Sequence, residues 1–123
     1  MTIRFDIDLG VNTLKGVLTV EPEVLRVEWR RYDLFEAPVS ALESICVPWT
    51  DLTDVSVKRR PFKPVVEITA GSASVFAAMP LPAGDLSVFR AKVARSDRRV
   101  AEAWGAEALL KIADAMPGGN LLE

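Results

Sequence analysis

The sequence predicts a mainly β protein, an antiparallel sandwich or partly open barrel closed by one C-terminal α-helix. Two observations carry this prediction. Apolar and polar residues alternate along most of the chain up to residue 93, as expected for strands with one buried face. The period then changes to about 3.6 residues, as in a helix with one apolar face. Because no helical segment separates the strands, antiparallel pairing is favoured over a parallel sheet.

The first three predicted strands show the alternation most clearly. In the first, Ile3, Phe5 and Ile7 alternate with charged residues, so one face is apolar and the other is polar. The three strands are predicted at residues 2–9, 14–21 and 25–30. Pro22-Glu23 forms a tight turn that makes the second and third strands a hairpin.

The sequence pattern predicts an irregular stretch next and then five more strands. Residues 32–42 contain Pro38 and are interpreted as a connection, with an edge strand within it as the alternative. The strands are predicted at residues 43–49, 54–60, 65–70, 74–79 and 86–93. The segment Gly71-Ser72-Ala73 is expected to join the pair at 65–70 and 74–79.

A single helix is predicted after the last strand. Ser96 is a suitable N-cap, and the carboxylate of Asp97 suits the positive end of the helix dipole. The predicted apolar stripe consists of Val100, Ala101, Trp104, Ala108, Ile112 and Ala115. Pro117-Gly118-Gly119 is expected to end the helix, and residues 117–123 are expected to form a flexible tail.

Four short segments carry a resemblance to bacterial pleckstrin-homology (PH)-like domains. They are Leu14-Lys15-Gly16-Val17-Leu18, Glu23-Val24-Leu25-Arg26-Val27-Glu28, Val47-Pro48-Trp49-Thr50-Asp51-Leu52 and the stretch 93–101. The resemblance covers residues 14–115. It implies one domain over residues 1–123 with seven antiparallel strands and a capping helix, preceded by an additional strand at 2–9. Such domains bind lipids, peptides or other proteins.

The resemblance also implies where a phosphoinositide would bind, in three loops at the open end of the fold. With residues 14–21 as the first of the seven strands, these loops are Glu21-Pro22-Glu23, 49–54 and 79–85. They carry five carboxylates and no Lys or Arg, and carboxylates repel an inositol phosphate. Phosphoinositide-specific binding is therefore not expected.

The composition argues against an enzyme. The chain has no histidine and one cysteine, Cys46, which removes the commonest nucleophile–base pairs and metal ligands. No glycine-rich phosphate loop is present. The carboxylate pairs Asp6/Asp8 and Asp51/Asp54 lack the ligand density of a calcium loop. We therefore expect no catalytic residue, no cofactor and no metal.

Charge and hydropathy limit the classes of partner and the cellular locations that we expect. The net charge is −2, which argues against a nucleic-acid partner. No stretch approaches the ~20 apolar residues of a membrane span, and the chain start lacks a signal-peptide block. Together with the lone cysteine, these features predict a cytoplasmic protein of bacterial type.

Two candidate contact surfaces remain. The first is a basic run around an aromatic residue, formed by Lys58, Arg59, Arg60, Phe62 and Lys63. It is suited to an anionic membrane surface or an acidic protein, but it also fits a solvated hairpin tip whose charges protect a strand end. The second is a small apolar patch off the buried helix stripe, formed by Ala103, Ala106, Leu110 and Ala113. It is suited to a second copy or a partner, but it fits a tolerated surface leucine equally well.

The expected function is a non-catalytic protein-interaction or self-assembly module, which includes a homo-oligomer. The second surface supports this expectation, because exposed apolar side chains on a helix suit a partner protein or a second copy. The alternative is a peripheral membrane or anionic-ligand module that uses the basic run.

Overall fold

The structure, a computed structural model, describes residues 1–59 and 63–116. It consists of seven strands and one helix, which are β1 (Thr2–Asp8), β2 (Thr13–Val20), β3 (Val24–Tyr32), β4 (Glu43–Pro48), β5 (Leu52–Lys58), β6 (Val65–Ala70), β7 (Val88–Lys92) and α1 (Arg98–Ala115). Two short 3-10 turns lie at Trp49–Asp51 and Arg95–Asp97.

The strands form one antiparallel sheet in the order β4-β3-β2-β1-β7-β6-β5. β4 and β5 are its two edges, so the sheet is not closed. β1 and β7 are joined at a single residue pair, Asp6 with Lys92, which marks the boundary between the N-terminal and C-terminal strands. The predicted mainly β fold with a C-terminal helix is confirmed.

Alternation in the sequence becomes a buried face in the structure. The side chains of Ile3, Phe5 and Ile7 on β1 are all buried. The alternating positions Arg4 and Asp8 are exposed. The same alternation buries Leu25, Val27 and Trp29 on β3. These inward residues and the buried face of α1 form one core.

Close packing between β1, β2 and β3 depends on a residue without a side chain. Gly16 on β2 pairs with Phe5 on β1 and with Trp29 on β3. A Cβ atom at this position would lie 1.9 Å from the carbonyl oxygen of Glu28 and 2.9 Å from the ring of Phe5. The two large aromatic side chains therefore flank a position at which only glycine fits.

The helix covers the sheet through a buried tryptophan. Trp104 is fully buried, and its indole Nε1–H donates a hydrogen bond to the backbone oxygen of Leu18 over 3.1 Å. The other buried residues of α1 are Ala101, Gly105, Ala108 and Ile112. Most of the predicted stripe is confirmed, but Val100 is 47% exposed and does not belong to it.

The predicted strand at 74–79 is wrong, and its absence changes the strand count. This segment forms consecutive turns in which the amide of Ala77 bonds to Ser74 and that of Met79 bonds to Phe76. Local hydrogen bonds thus replace a strand ladder, although Phe76 and Met79 are buried. The strand near 2–9 is confirmed as β1, but it is the first of the seven strands rather than an addition before them.

The start of the helix also differs from the prediction. Ser96 lies in the 3-10 turn that precedes α1, and Asp97 occupies the N-cap position without a side-chain capping bond. Its carboxylate instead accepts a hydrogen bond from Arg4. The predicted helix end at Pro117 and the tail at 117–123 lie outside the described residues.

Candidate functional site

The most exposed large apolar side chains of the described residues lie in two neighbouring connections. Leu34 and Phe35, between β3 and β4, are 76% and 89% exposed, and Val11, between β1 and β2, is 75% exposed. Thr13 pairs with Tyr32, so both connections leave the sheet side by side. We call Val11, Leu34 and Phe35 the apolar tip.

Hydrogen bonds from one carboxylate shape the loop that carries the tip. Oδ1 of Asp33 accepts hydrogen bonds from the backbone amides of Phe35 at 2.8 Å and Ala37 at 3.0 Å. The amide of Asp33 bonds to the oxygen of Ala37, and Glu36 adopts a positive φ of 63°. This turn directs its bonded groups inward and leaves Leu34 and Phe35 at its outside.

The same loop contacts the sheet at two strands, β3 and β2. Pro38 forms an isolated β-bridge with Tyr32, and the amide of Arg31 donates to the hydroxyl of Ser40. The carboxylate of Glu36 pairs with the ammonium of Lys15 on β2. The hydrogen bond to Glu36 raises the pKa of Lys15 above its ordinary value. These contacts make the loop an ordered element rather than a loose connection.

The charge of the two connections is negative. Residues 9–12 contain no charged side chain, and residues 33–42 contain Asp33 and Glu36 but no Lys or Arg. Because Glu36 is paired with Lys15, the carboxylate beside the tip that has no ion pair among the described residues is that of Asp33, whose charge has the wrong sign for an anionic membrane.

A groove of about 640 Å³ lies next to the loop, on the outer face of β1, β2 and β3. Across its floor Arg30, Lys15, Asp6 and Lys92 stand in register on four neighbouring strands. The Nε atom of Arg30 is buried and has no hydrogen-bond partner among the described residues. Asp6, Glu28 and Asp97 offset the cations of the groove, so it presents mixed charge rather than a pocket for a polyanion.

The predicted basic run is partly neutralised by acids from other elements. The ammonium of Lys58 lies 3.2 Å from the carboxylate of Glu67 on β6, and Nε of Arg59 lies 3.4 Å from that of Glu102 on α1. Lys63 is exposed. Arg60 and Phe62 lie outside the described residues.

The predicted helix patch is on the surface. Ala103, Ala106 and Ala113 are exposed, and Leu110 is 65% exposed. Leu109 beside them is 42% exposed and extends the patch beyond the predicted set.

The PH-like resemblance implied three loops for a phosphoinositide, and the strand order of the structure changes which loops these are. With β1 as the first of the seven strands, the corresponding connections are 9–12, 33–42 and 71–87. The two loops at 21–23 and 49–54 instead join β2 to β3 and β4 to β5. The corrected connections also contain no Lys or Arg, and they contain three carboxylates, on Asp33, Glu36 and Asp85.

The described residues contain no cluster of three metal-ligating side chains, and none of their helices is long and apolar enough to cross a membrane. Comparison of the chain with protein-family models, with curated proteins and with solved structures finds no match in any of the three.

Proposed function

We propose that this chain is a non-catalytic interaction module that binds a partner protein through the apolar tip. One observation carries the proposal: an ordered loop holds Leu34 and Phe35 almost wholly in solvent. Exposing large apolar side chains has a free-energy cost, and a fixed loop loses little conformational entropy on binding. Both properties suit an anchor that enters an apolar pocket of a partner.

The charge around the tip favours a protein partner over a membrane. Glu36 is paired with Lys15, but the carboxylate of Asp33, which has no ion pair among the described residues, would be repelled by anionic lipids, whereas a pocket on a protein can supply a complementary cation. The mixed charges of the neighbouring groove suit the polar rim of a protein interface. The PH-like resemblance agrees with this proposal, since domains of that kind bind peptides or proteins as well as lipids.

Peripheral membrane binding through the basic run is the second candidate. Two of its cations, Lys58 and Arg59, already face the carboxylates of Glu67 and Glu102 within the chain. A membrane would have to compete with these pairs for the same cations, which weakens its attraction. We therefore rank this candidate below the apolar tip.

The proposal is tested by crosslinking in extracts of the native host followed by mass spectrometry. The variant Leu34→Ser/Phe35→Ser removes the two most exposed side chains of the tip, and Leu86→Ser is the matched control because Leu86 is 51% exposed in a different connection. We expect specific proteins to crosslink to the wild type and to the control, and to be lost by at least tenfold from the tip variant.

Vesicles of anionic phospholipid form the second arm of the same experiment. We expect the wild type and the tip variant to bind these vesicles equally weakly. If the partners crosslink equally to all three proteins, the tip is not the binding surface. If vesicle binding is instead strong and is lost on changing Arg59 and Lys63 to Glu, the second candidate is correct.

A further inference from the structure

The charged side chains in the first and last turns of α1 oppose the helix dipole, whereas the carboxylate of Asp97 at the N-cap agrees with it. Arg98 and Arg99 occupy the first turn, which contains no acidic residue, and Asp114 lies in the last turn, which contains no basic residue. Cations are unfavourable at the positive N-terminal end of a helix and anions are unfavourable at the negative C-terminal end. Neither Arg99 nor Asp114 forms an ion pair with another described residue.

The same helix presents a regular stripe to solvent. Arg99, Ala103, Ala106, Leu110 and Ala113 are separated by four, three, four and three residues, and all five are exposed. This spacing places them on one face, opposite the buried Trp104 and Ala108. It is the spacing of a helix that packs along a second helix.

We propose that a second copy of this chain packs on the stripe with its helix antiparallel, about a two-fold axis. In this arrangement Arg99 of each copy approaches Asp114 of the other, and the two helix dipoles oppose each other. The alanines allow the helices to approach closely, and Leu110 of each copy packs near Ala103 of the other. The charges that are unfavourable in one copy become complementary between two.

The size of the surface sets the strength of the contact. The 18 residues of α1 span about 27 Å at about 1.5 Å per residue. A contact through one helix face is smaller than the roughly 1,200 Å² buried in stable complexes. We therefore expect a weak dimer that forms only at high protein concentration. It does not use the apolar tip, so dimerisation and partner binding are separate properties.

Sedimentation equilibrium of the full chain from 10 μM to 2 mM tests the proposal. The wild type should change from monomer to dimer over this range, and Leu110→Glu should weaken the dimer at least tenfold. Arg99→Glu alone and Asp114→Arg alone should each weaken it several-fold, because each creates a like-charged pair across the axis. The double variant Arg99→Glu/Asp114→Arg should restore the wild-type Kd within about threefold.

Thermal unfolding of the same variants separates association from folding. Arg99→Glu and Asp114→Arg each agree with the helix dipole, so the midpoint of each should be equal to or above that of the wild type at low concentration. The tip variant Leu34→Ser/Phe35→Ser should keep the wild-type Kd. A chain that stays monomeric at 2 mM, or a double variant no better than the single ones, would overturn the antiparallel arrangement.

Discussion

At the scale of single residues, Trp104 connects the helix to the sheet by packing and by a hydrogen bond. Its ring is fully buried, and its Nε1–H donates to the backbone oxygen of Leu18. We expect Trp104→Ala to lower the free energy of unfolding by about 3–5 kcal/mol. Trp104→Phe keeps an aromatic ring but leaves that oxygen without its donor, and should cost about 1–3 kcal/mol. Urea unfolding measures both, and an unchanged midpoint for Trp104→Ala would show that the helix is not anchored here.

The absence of a side chain at Gly16 allows β2 to lie close to its neighbouring strands. Gly16→Ala would place a methyl group 1.9 Å from the carbonyl oxygen of Glu28, which neither backbone can avoid without moving. We expect a loss of about 3 kcal/mol or more in the free energy of unfolding. Gly71→Ala is the matched control, because its nearest atom would be the oxygen of Asp51 at 3.7 Å. Equal stability of the two variants would contradict the described strand packing.

At the scale of elements, Glu67 on β6 connects the two strands beside it. Its carboxylate lies 3.2 Å from the ammonium of Lys58 on β5 and 3.2 Å from Nε of Arg90 on β7. Burial raises the pKa of Glu67, but the hydrogen bonds from Lys58 and Arg90 outweigh this effect and hold the pKa below its ordinary value. The ionised carboxylate therefore stabilises the folded chain.

The pH dependence of unfolding tests this arrangement. A pKa that is lower in the folded chain than in the unfolded chain gives stability that is present above the unfolded value and is lost as the pH falls through the folded value. We expect Glu67→Gln to cost about 1 kcal/mol at pH 7 and almost nothing at pH 3. Glu43→Gln is the control, because Glu43 is exposed on β4 and forms no ion pair with another described residue. A difference between wild type and Glu67→Gln that does not change with pH would argue against these ion pairs.

At the scale of the whole molecule, the sequence predicted the elements better than the surfaces. Alternation identified β1 to β7 because burial on one face of a strand repeats every two residues. Alternation could not distinguish a strand from turns at 74–79, because a short run of small and apolar residues fits either structure equally well. The buried face of α1 was predictable from its period of about 3.6 residues.

The candidate surfaces depend on contacts that sequence spacing does not show. The acidic partners of Lys58 and Arg59 lie on other elements of the fold. Their partial neutralisation of the basic run therefore could not be predicted from the sequence of the run itself. The exposure of Leu34 and Phe35 was also missed, because apolar residues in a connection are as often buried. The one signal was Asp33, a residue type that forms turns through its own carboxylate.

Backbone ¹⁵N relaxation of the isolated chain tests whether the loop that holds Leu34 and Phe35 in solvent is ordered. If the hydrogen bonds of Asp33 fix the loop, the order parameters of Leu34, Phe35 and Ala37 should be close to the value of about 0.85 found in rigid strands. Asp33→Ala, which removes the acceptor, should lower all three. Order parameters below about 0.6 in the wild type would show that the tip is a mobile loop and would contradict the account.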